Sequence, residues 1–360
     1  MKKLRGAIIG NGFIANKGHL PAYVERHDVE IVAVCDVVKA RQDAAREKIK
    51  NIRTYDDYRT LFEKEKDNLD FVDIAAPAAL HAEITHAALD AGLHVLCEKP
   101  LTTTLEDAKK VIEHAKSAKR VVFPCHNYKH APVVKAIRHE LDSGRIGKVR
   151  SITLSTFRNT HAKGVKEWNT DWRRFHKWSG GGIAMDHGSH SFYLTFDWLG
   201  SYPTSITSKL YNLEPEKYDT EDNFSAVLTF PTGLAHLNLT WTAGVRKVIY
   251  TLQCERGAIT VEDDNMEIAV MKTGVKGAEG YNDVAWEFEK KVISSDWMDS
   301  SHVSWFNSLF DLFQKAIENN DYVSQELKES YLCVQAITKA YESSSKNSQE
   351  LALSNEILTY

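Results

Sequence analysis

The stretch LRGAIIGNGFIA, from Leu4 to Ala15, decides the fold of the first half of the chain. Its apolar run Leu4–Ile9 is typical of a short buried strand, and the segment after the glycines has the pattern of a helix. Gly10, Gly12 and Ala15 have the spacing of a dinucleotide-binding turn, in which glycines allow a tight bend and the close approach of a pyrophosphate. The residues of this turn that we expect to contact a dinucleotide are Gly10, Gly12, Phe13 and Ile14.

An acidic residue, Asp36, closes the second predicted strand. A carboxylate at this point accepts hydrogen bonds from a ribose 2′-hydroxyl and repels a 2′-phosphate, so it favours NAD as the cofactor. Lys39 and Arg41 follow closely and could offset the repulsion, which leaves NADP as the alternative. Asp36 could instead serve only as the N-cap of the helix that follows.

Up to about residue 140, short apolar runs alternate with longer helical patterns. Short buried strands separated by helices are typical of a doubly wound parallel sheet, so we predict an α/β Rossmann domain over residues 1–125. The strands predicted in this half are 4–9, 30–35, 71–75, 94–97 and 121–123. The helices predicted in this half lie near 13–25, 38–48, 56–66, 80–91, 104–118 and 130–142.

After Gly147 the strand candidates become longer, and many alternate apolar with polar residues, which favours a mostly antiparallel sheet with one covered face. We predict an α+β domain over 126–360, built on a large open sheet and serving substrate binding and oligomerisation. Its predicted strands are 149–157, 205–211, 224–230, 235–241, 247–254, 258–261 and 267–271. Helical patterns return near 302–319 and 325–344 and could pack back on the first domain, and the polar stretch 343–349 is expected to be a solvated connection.

Two further turns lie where ligands of open α/β sheets bind, at the carboxyl ends of predicted strands. Ala76 and Pro77, with His81 a little further on, follow the strand 71–75. The sequence CEKP, residues 97–100, follows the strand 94–97. A lysine just outside a strand is by default a surface residue, but Lys99, held between an acid and a proline at this edge, is a candidate for a positioned cation.

The segment SGGGIAMDHGSH, residues 179–190, leads into an apolar run and predicts a largely buried helix over 181–199. Asp186 and His190 lie four residues apart and would project from the same face of such a helix. Burying a carboxylate and an imidazole is unfavourable unless they serve each other or a ligand, and a carboxylate beside a histidine commonly orients the ring for proton transfer. A satisfied Asp–His pair that only specifies packing is the equally weighted alternative.

Taken together, GNGFIA with Asp36, AAP with His81, CEKP at 97–100 and GGGIAMDHGSH at 180–190 resemble, in order and spacing, the Gfo/Idh/MocA family of oxidoreductases. The resemblance covers essentially the whole chain. It implies an N-terminal Rossmann domain, a C-terminal open sheet, and NAD(P)-dependent hydride transfer at a secondary carbinol of a sugar, cyclitol or sugar derivative such as a nucleotide sugar. Two other activities of such folds stay open: a non-catalytic dinucleotide-binding sensor or corepressor, and an NAD-assisted glycoside hydrolase.

Matched residue by residue, the resemblance implies roles for three side chains. Lys99 would contact the nicotinamide ribose and the reacting hydroxyl, His190 would be the general acid/base, and Asp186 would bind the substrate and assist His190. It also implies a cis peptide bond before Pro100. The further residues expected in the cofactor site are Ala76, Pro77, His81 and Glu98.

Aromatic and basic residues precede the glycines of the 179–190 segment. Trp172 and Arg173 are plausible substrate contacts, because indole faces stack on sugar rings and a guanidinium can fork onto vicinal hydroxyls, a carboxylate or a phosphate. Asn127 and Tyr128 are further candidates for hydroxyl contacts. Together they indicate a polyhydroxylated ligand. For Trp168 and Trp178, a structural aromatic cluster is an equally good interpretation.

Composition sets limits on the partners. The formal charge of −4, from 45 basic and 49 acidic residues, argues against nucleic acid or an anionic membrane as the main partner. No apolar run approaches the length of a membrane span, and the five cysteines form no CxxC pair, which is typical of reduced thiols in a cytoplasmic protein. His187 and His190 lack a third ligand at a convincing spacing, so no metal is expected.

The second sheet is expected to present one face to another subunit, giving a homodimer or homotetramer. The alternative is that the helices of 302–344 cover that face within one chain. The residues proposed for the exposed face are Ile206, Val227, Leu237, Leu239 and Ile249.

Overall fold

The computed structural model describes residues 3–272, 285–295 and 302–360. The first half forms a six-stranded parallel sheet in the order β3-β2-β1-β4-β5-β6, which is the predicted doubly wound arrangement. Its strands are β1 Leu4–Ile9, β2 Val29–Cys35, β3 Arg53–Tyr55, β4 Phe71–Ile74, β5 His94–Cys97 and β6 Val122–Pro124.

Helices cover both faces of this sheet. The predicted first helix is divided: a turn of π-helix over Ala15–His19 continues into a short α-helix. The other helices lie close to their predicted positions, and the helix over 105–118 begins at Thr104, whose hydroxyl accepts the Asp107 N–H at 3.1 Å. The helices of this half are α1 Leu20–Val24, α2 Lys39–Lys48, α3 Tyr58–Glu65, α4 His81–Asp90, α5 Leu105–Ala118 and α6 Pro132–Asp142.

The second half contains a nine-stranded sheet in the order β14-β13-β12-β11-β7-β10-β9-β8-β15. Neighbouring strands are antiparallel except for the parallel pair β10 and β7, so the predicted mostly antiparallel sheet is confirmed. Its strands are β7 Val149–Phe157, β8 Ser205–Tyr211, β9 Asn223–Phe230, β10 Gly233–Thr240, β11 Lys247–Cys254, β12 Gly257–Glu262, β13 Asn265–Lys272, β14 Ala285–Val292 and β15 Leu351–Ala352.

The helices of the second half are α7 His176–Ser179, α8 Ile183–Asp186, α9 Gly188–Leu199, α10 Val303–Glu318 and α11 Gln325–Ser345. Helix α10 packs its aromatic face onto the first sheet, where Phe306, Phe310 and Phe313 join the core around Phe71. Helix α11 lies against β8 and α9 of the second half and against α5 of the first half, so it contacts both halves. The late helices therefore bind the two halves together.

Three sequence predictions about the second half are wrong. The helix expected over 181–199 is not continuous: it begins at Ile183 and is interrupted at His187, a residue with right-handed helical φ and ψ, which separates α8 from α9. The stretch 343–349 is not simply solvated, since Ser343 is buried at the end of α11 and its hydroxyl accepts the Ser208 N–H.

The third concerns the face that was expected to be exposed: Val227 and Ile249 do lie on it, but the other three residues do not. Ile206, Leu237 and Leu239 are completely or almost completely buried within the chain, at 0%, 1% and 0% exposure. They point toward α8, α9 and α11, which pack on β8, β9 and β10. Side chains on a strand alternate between faces, so the open face carries their neighbours, including Val227 and Leu234. No helix among the described residues is long and apolar enough to cross a membrane.

Candidate active site

A cleft of about 570 Å³ runs along the carboxyl edge of the first sheet, facing α8 and the start of α9. Its size is typical of a small-molecule or cofactor site. The structure brings every residue predicted for the site to its walls. These are Gly10, Gly12, Phe13, Ile14, Asp36, Ala76, Pro77, His81, Glu98, Lys99, Asn127, Tyr128, Trp172, Arg173, Asp186 and His190.

The glycine-rich turn is shaped to admit a ligand. Gly10 has a φ of +90°, and a Cβ on it would lie 2.7 Å from the Ala76 nitrogen, so only glycine fits there. A Cβ on Gly12 would meet nothing within 4 Å, which leaves open space beside the backbone. That space is what a pyrophosphate requires at this turn. The residues present therefore fit a dinucleotide.

Asp36 occupies the ribose end of the cleft. Its Oδ2 accepts the Asn11 N–H at 2.7 Å and its Oδ1 accepts the Val38 N–H at 2.8 Å. Burial raises the pKa of this carboxyl group, and the two backbone hydrogen bonds and Arg41 oppose that shift. Helix α2 is capped by Val38, so Asp36 is not its N-cap residue.

The two cations behind Asp36 are engaged elsewhere. Lys39 Nζ lies 3.2 Å from a carboxylate oxygen of Asp43, and the Arg41 guanidinium donates to Glu167 in the loop over the cleft. Neither therefore neutralises Asp36 directly, which favours a ribose with a free 2′-hydroxyl over a 2′-phosphate.

Lys99 and Asp186 form the charged centre of the cleft. The peptide bond before Pro100 is cis, as expected. Lys99 Nζ donates to Asp186 Oδ1 at 2.8 Å and to the Asp186 carbonyl at 2.9 Å. The other oxygen, Oδ2, lies 3.6 Å from Arg173 Nε and 3.3 Å from His187 Nδ1. Burial raises the pKa of Asp186, but Lys99, Arg173 and His187 outweigh it and hold the pKa well below its usual value.

His190 has different partners from those the sequence suggested. Its Nδ1 lies 2.6 Å from the Tyr193 hydroxyl, and its ring stacks on Tyr128 with 3.9 Å between centroids. The predicted direct pairing with Asp186 is wrong: both side chains line the same cleft, but the Asp186 carboxylate lies against Lys99, Arg173 and His187. Burial, with the charges of Lys99 and His187, holds the pKa of His190 well below its usual value.

His190 is therefore neutral near pH 7. In the neutral tautomer whose Nδ1–H donates to the Tyr193 hydroxyl oxygen, Nε2 is unprotonated and is the ring atom that can accept and return a proton. A neutral imidazole beside a lysine cation and a carboxylate is a suitable set for removing the proton of a hydroxyl group. The alternative of a purely structural Asp–His pair loses its basis, since the two side chains do not form that pair.

The loop between β7 and α7 forms the wall opposite the first sheet. Trp168 and Trp178 meet edge to face at 5.1 Å, and both line the cleft, so they are wall residues as well as an aromatic cluster. Arg173 lies over the Trp172 ring at 4.2 Å and beside Asp186, so its guanidinium is already positioned by the protein. Asn127 and Tyr128 border the same end of the cleft.

Some residues have roles that sequence reasoning missed. His187 contacts Asp186 and lines the cleft. His302 and the loop segment 162–165 also line it. Tyr193 lies in the apolar run that follows residue 190 and binds His190. Its hydroxyl, i+3 from His190, was the signal that could have identified it.

His81 has a narrower role than predicted. Its Nδ1 and Nε2 lie 2.7 Å and 2.9 Å from the carbonyl oxygens of Pro100 and Ala76. Both oxygens only accept hydrogen bonds, so the neutral ring donates to one of them and packs against the other. Burial lowers the pKa of its ring, which keeps it neutral. His81 ties together the two turns that carry the cleft and offers a cofactor only its ring surface.

Comparisons with known proteins agree with this geometry. A family model described as "Oxidoreductase family, NAD-binding Rossmann fold" matches residues 4–126, and the GFO/IDH/MocA C-terminal domain matches residues 134–260. The D-glucoside 3-dehydrogenase of Escherichia coli is 29% identical over 64% of this chain and 68% of its own length. The D-apiose dehydrogenase of Paraburkholderia graminis is 34% identical over 41% of this chain and 38% of its own.

The match to the levoglucosan dehydrogenase of Pseudarthrobacter phenanthrenivorans, 28% identical, covers 60% of this chain and 56% of that protein. For two of these three relatives, the aligned segment thus spans less than two thirds of the relative's length. Among solved structures, an oxidoreductase domain protein from Kribbella flavida superposes with a TM-score of 0.81 over 98% of this chain and 100% of its own, at 20% identity. A levoglucosan dehydrogenase in complex with NADH and L-sorbose also gives 0.81, at 21% identity, over 98% and 100% of the two chains. These two likenesses establish the fold.

Proposed function

The chain belongs to the Gfo/Idh/MocA family and carries its NAD-binding Rossmann domain, and on that premise we propose that it transfers hydride between NAD and a secondary carbinol of a sugar, cyclitol or sugar derivative. The observation that carries the proposal is the meeting of Lys99, Asp186 and a neutral His190 in one cleft with the glycine turn. The names of the relatives, which act on a glucoside, on apiose and on levoglucosan, support this substrate class.

NAD, when bound, supplies the hydride acceptor, and the protein supplies position and electrostatics. His190 Nε2 accepts the hydroxyl proton of the substrate in the direction of oxidation and returns it in reduction. Lys99 places a positive charge where the reacting oxygen becomes electron-rich, which stabilises that charge in a water-poor cleft. Asp186 holds Lys99 and Arg173 in place, and Trp172 offers an apolar surface for a sugar ring.

The proposal is tested by following NADH formation with a panel of polyhydroxylated compounds. The panel contains a methyl glucoside, levoglucosan, myo-inositol, a pentose and a nucleotide sugar, each with NAD and with NADP. We expect oxidation of at least one compound with NAD. Tight NAD binding with no turnover of any compound would favour a sensor, and cleavage of the glycoside without net NADH would favour an NAD-assisted hydrolase.

NAD is expected to bind more tightly than NADP. A 2′-phosphate would face the partly desolvated Asp36 carboxylate, and like charges in such contacts cost several kcal/mol, so we expect a difference of about tenfold or more in Kd. Binding isotherms of NAD and NADP measure the two Kd values, and Asp36→Ala should bring these values closer together.

The matched control for Asp36→Ala is Glu47→Ala. It removes an exposed carboxylate from α2, the helix that follows Asp36, and Glu47 does not line the cleft. In Glu47→Ala, the ratio of the Kd values of NADP and NAD should equal that of the unmodified protein. Equal or tighter binding of NADP by the unmodified protein would contradict the assignment and point to Lys39 or Arg41.

We also propose that the open face of the nine-stranded sheet meets a second copy of the chain. Paired residues of neighbouring strands point to the same side of a sheet, and this side exposes large apolar side chains. They are Val227 at 37%, Leu234 at 40%, Trp286 at 50% and Phe288 at 61% exposure. We expect sedimentation to give the mass of a dimer or tetramer and Phe288→Glu to lower it; a monomeric parent protein would contradict this.

A cytoplasmic location is part of the same proposal. All five cysteines are free, and four of them are buried. Reduced thiols and an NAD-dependent reaction both suit the cytoplasm.

A further inference from the structure

Beneath the cleft, four polar side chains are buried together. His19, Tyr23, Asp73 and Glu98 are exposed by only 1%, 5%, 0% and 8%. They come from four separate elements: the π-helical turn, α1, β4 and the turn after β5. Two carboxylates in such a place are unfavourable unless a cation and hydrogen bonds compensate them.

The hydrogen bonds of this cluster define the charge of His19. Its Nδ1 lies 2.7 Å from Asp73 Oδ2, and its Nε2 lies 3.2 Å from Glu98 Oε1. Carboxylates only accept hydrogen bonds, and a neutral imidazole carries a single N–H. Both contacts are hydrogen bonds only when both ring nitrogens are protonated. The acceptors here are two carboxylates, unlike the neutral carbonyl oxygens beside His81, and nearby negative charge favours the imidazolium form of His19.

The cluster is joined to the active site through Glu98. Its second oxygen, Oε2, accepts the Lys99 backbone N–H at 3.1 Å. The side chain of Lys99 then reaches Asp186 in the cleft. His19 is thus two hydrogen bonds away from the residue that we place at the reacting oxygen.

We propose that His19 is a positioning residue that remains protonated through the neutral range and, by fixing Glu98, holds Lys99 in its working orientation. The part of this inference that concerns Lys99 rests on the proposed function. The charge of His19 does not rest on it.

The surroundings of His19 agree with a stable positive charge. The titratable groups around His19 are Asp73 from β4, Glu98 from the turn after β5 and Cys125 after β6. The Tyr23 hydroxyl from α1 donates to Asp73, and the charge of Lys99 acts on Glu98. The ring of Phe306 from α10 closes the remaining side, with 3.8 Å between ring centroids. Burial lowers the pKa of His19, but the charge and hydrogen bond of Asp73, followed by those of Glu98, raise it to about 9 overall.

The sign of the pH dependence follows from this. A histidine whose pKa is raised on folding stabilises the folded state below its unfolded pKa, and the stabilisation is lost as the pH rises through the folded value. The contribution of His19 is therefore present at neutral pH and disappears through a pH of about 9.

The direct test is the protonation state of His19 in the full-length protein without substrate. Nitrogen NMR of protein labelled at its histidines is recorded at about pH 8, well above the ordinary histidine pKa of about 6.5. We expect a histidine with both ring nitrogens protonated, which loses a proton only in the alkaline range. The variant Tyr23→Phe identifies this signal as that of His19. The Tyr23 hydroxyl donates to the same Asp73 oxygen as His19 at 2.7 Å, so its removal should shift the His19 signal. Only neutral rings at this pH would overturn the proposal.

The positioning role is tested with His19→Gln. It removes the charge and keeps one donor, so Glu98 loses its fixed orientation. We expect kcat to fall about tenfold to hundredfold, the range for small misplacement of a reacting group, while KM and the Kd of NAD change little. Tyr23→Phe is the matched control, since it removes a hydrogen bond of the same cluster but keeps the His19–Glu98 contact, and it should retain most of its kcat.

A structural role would give another result. His19→Gln would then lower the melting temperature to about the same extent as Tyr23→Phe, with kcat unchanged, and the positioning role would be wrong. If His19→Gln does not fold, the NMR result on the parent protein still decides the charge. If no compound is oxidised, the proposed function fails while the NMR result stands, so the two failures are distinguishable.

Discussion

Replacing His190 by asparagine is expected to lower kcat/KM for alcohol oxidation by about a hundredfold or more, the usual contribution of a general acid/base. Asn keeps a polar side chain of similar size beside Tyr193 and Tyr128, but it cannot take up a proton. Cofactor affinity should change little, because the ring contacts Tyr193 and Tyr128 rather than the glycine turn. Steady-state kinetics beside binding isotherms measure both quantities.

The role of His190 as a general base also predicts how kcat/KM of the unmodified protein depends on pH. A general base must be deprotonated, so kcat/KM rises with pH through the pKa of His190. Burial first, then the charges of Lys99 and His187, lower that pKa, so the rise should lie in the acid range, below the ordinary histidine value of about 6.5. The profile should be flat at neutral pH, and His190→Asn should remove the acid limb.

Two further variants test whether His190 is the group whose titration produces the acid limb of the profile. Asp186→Asn should lower the rate and move the limb to still lower pH, because Asp186 is the nearby charge that raises the pKa of His190. Tyr193→Phe removes the partner of Nδ1 but leaves Nε2, so it should cost less than His190→Asn and keep a limb. An unchanged acid limb in correctly folded His190→Asn would end the catalytic assignment.

The parts of the site that could be predicted from the sequence are those fixed by neighbouring residues. The glycine turn and Asp36 follow directly from β1 and β2, and the CEKP turn follows β5, so strand prediction alone places them on one sheet edge. The apolar core of the first sheet was predictable for the same reason, because each buried strand is a short continuous run.

The parts that failed depend on contacts between distant residues. Asp186 was paired with His190 by helical spacing, whereas the Asp186 carboxylate meets Lys99, 87 positions away, and His190 meets the Tyr193 hydroxyl. The sequence around His19 does not mark it as part of a polar cluster, because its partners Asp73 and Glu98 lie 54 and 79 positions away. Spacing along one element carries no information about such pairs.

Two further omissions have a different cause. Strand β14, AWEFEKKV, is an edge strand whose residues are mostly exposed. Trp286 and Phe288 alternate with Glu287 and Glu289, but the alternation is short and ends at Lys290, so it is a weak signal for a strand. The segment 162–165 lines the cleft from an irregular loop, where no periodic pattern exists to be read. Both belong to surfaces, where burial does not constrain the residue type.

Replacing Lys99 by alanine is expected to lower kcat by about a hundredfold to a thousandfold, the effect of removing one group that stabilises developing charge on oxygen. The Kd of NAD should stay within about tenfold, or about 1.4 kcal/mol, since the glycine turn and Asp36 are untouched. Loss of cofactor affinity with kcat preserved at saturation would show that Lys99 is a binding residue, contrary to the assignment.

A structural contribution of Lys99 must be separated from this catalytic one. Lys99→Ala leaves the partly buried Asp186 carboxylate beside Arg173 and His187 but without its ammonium partner. Breaking a buried ion pair on one side costs up to about 3–5 kcal/mol of unfolding free energy. The pKa of Asp186, which Lys99 helps to hold well below its usual value, should then rise. The double variant Lys99→Ala with Asp186→Asn removes both charges, so it should regain part of the lost melting temperature. Its kcat should remain as low as that of Lys99→Ala or lower, because the charge at the reacting oxygen is still missing. Recovery of kcat together with stability in the double variant would mean that Lys99 acts only by neutralising Asp186.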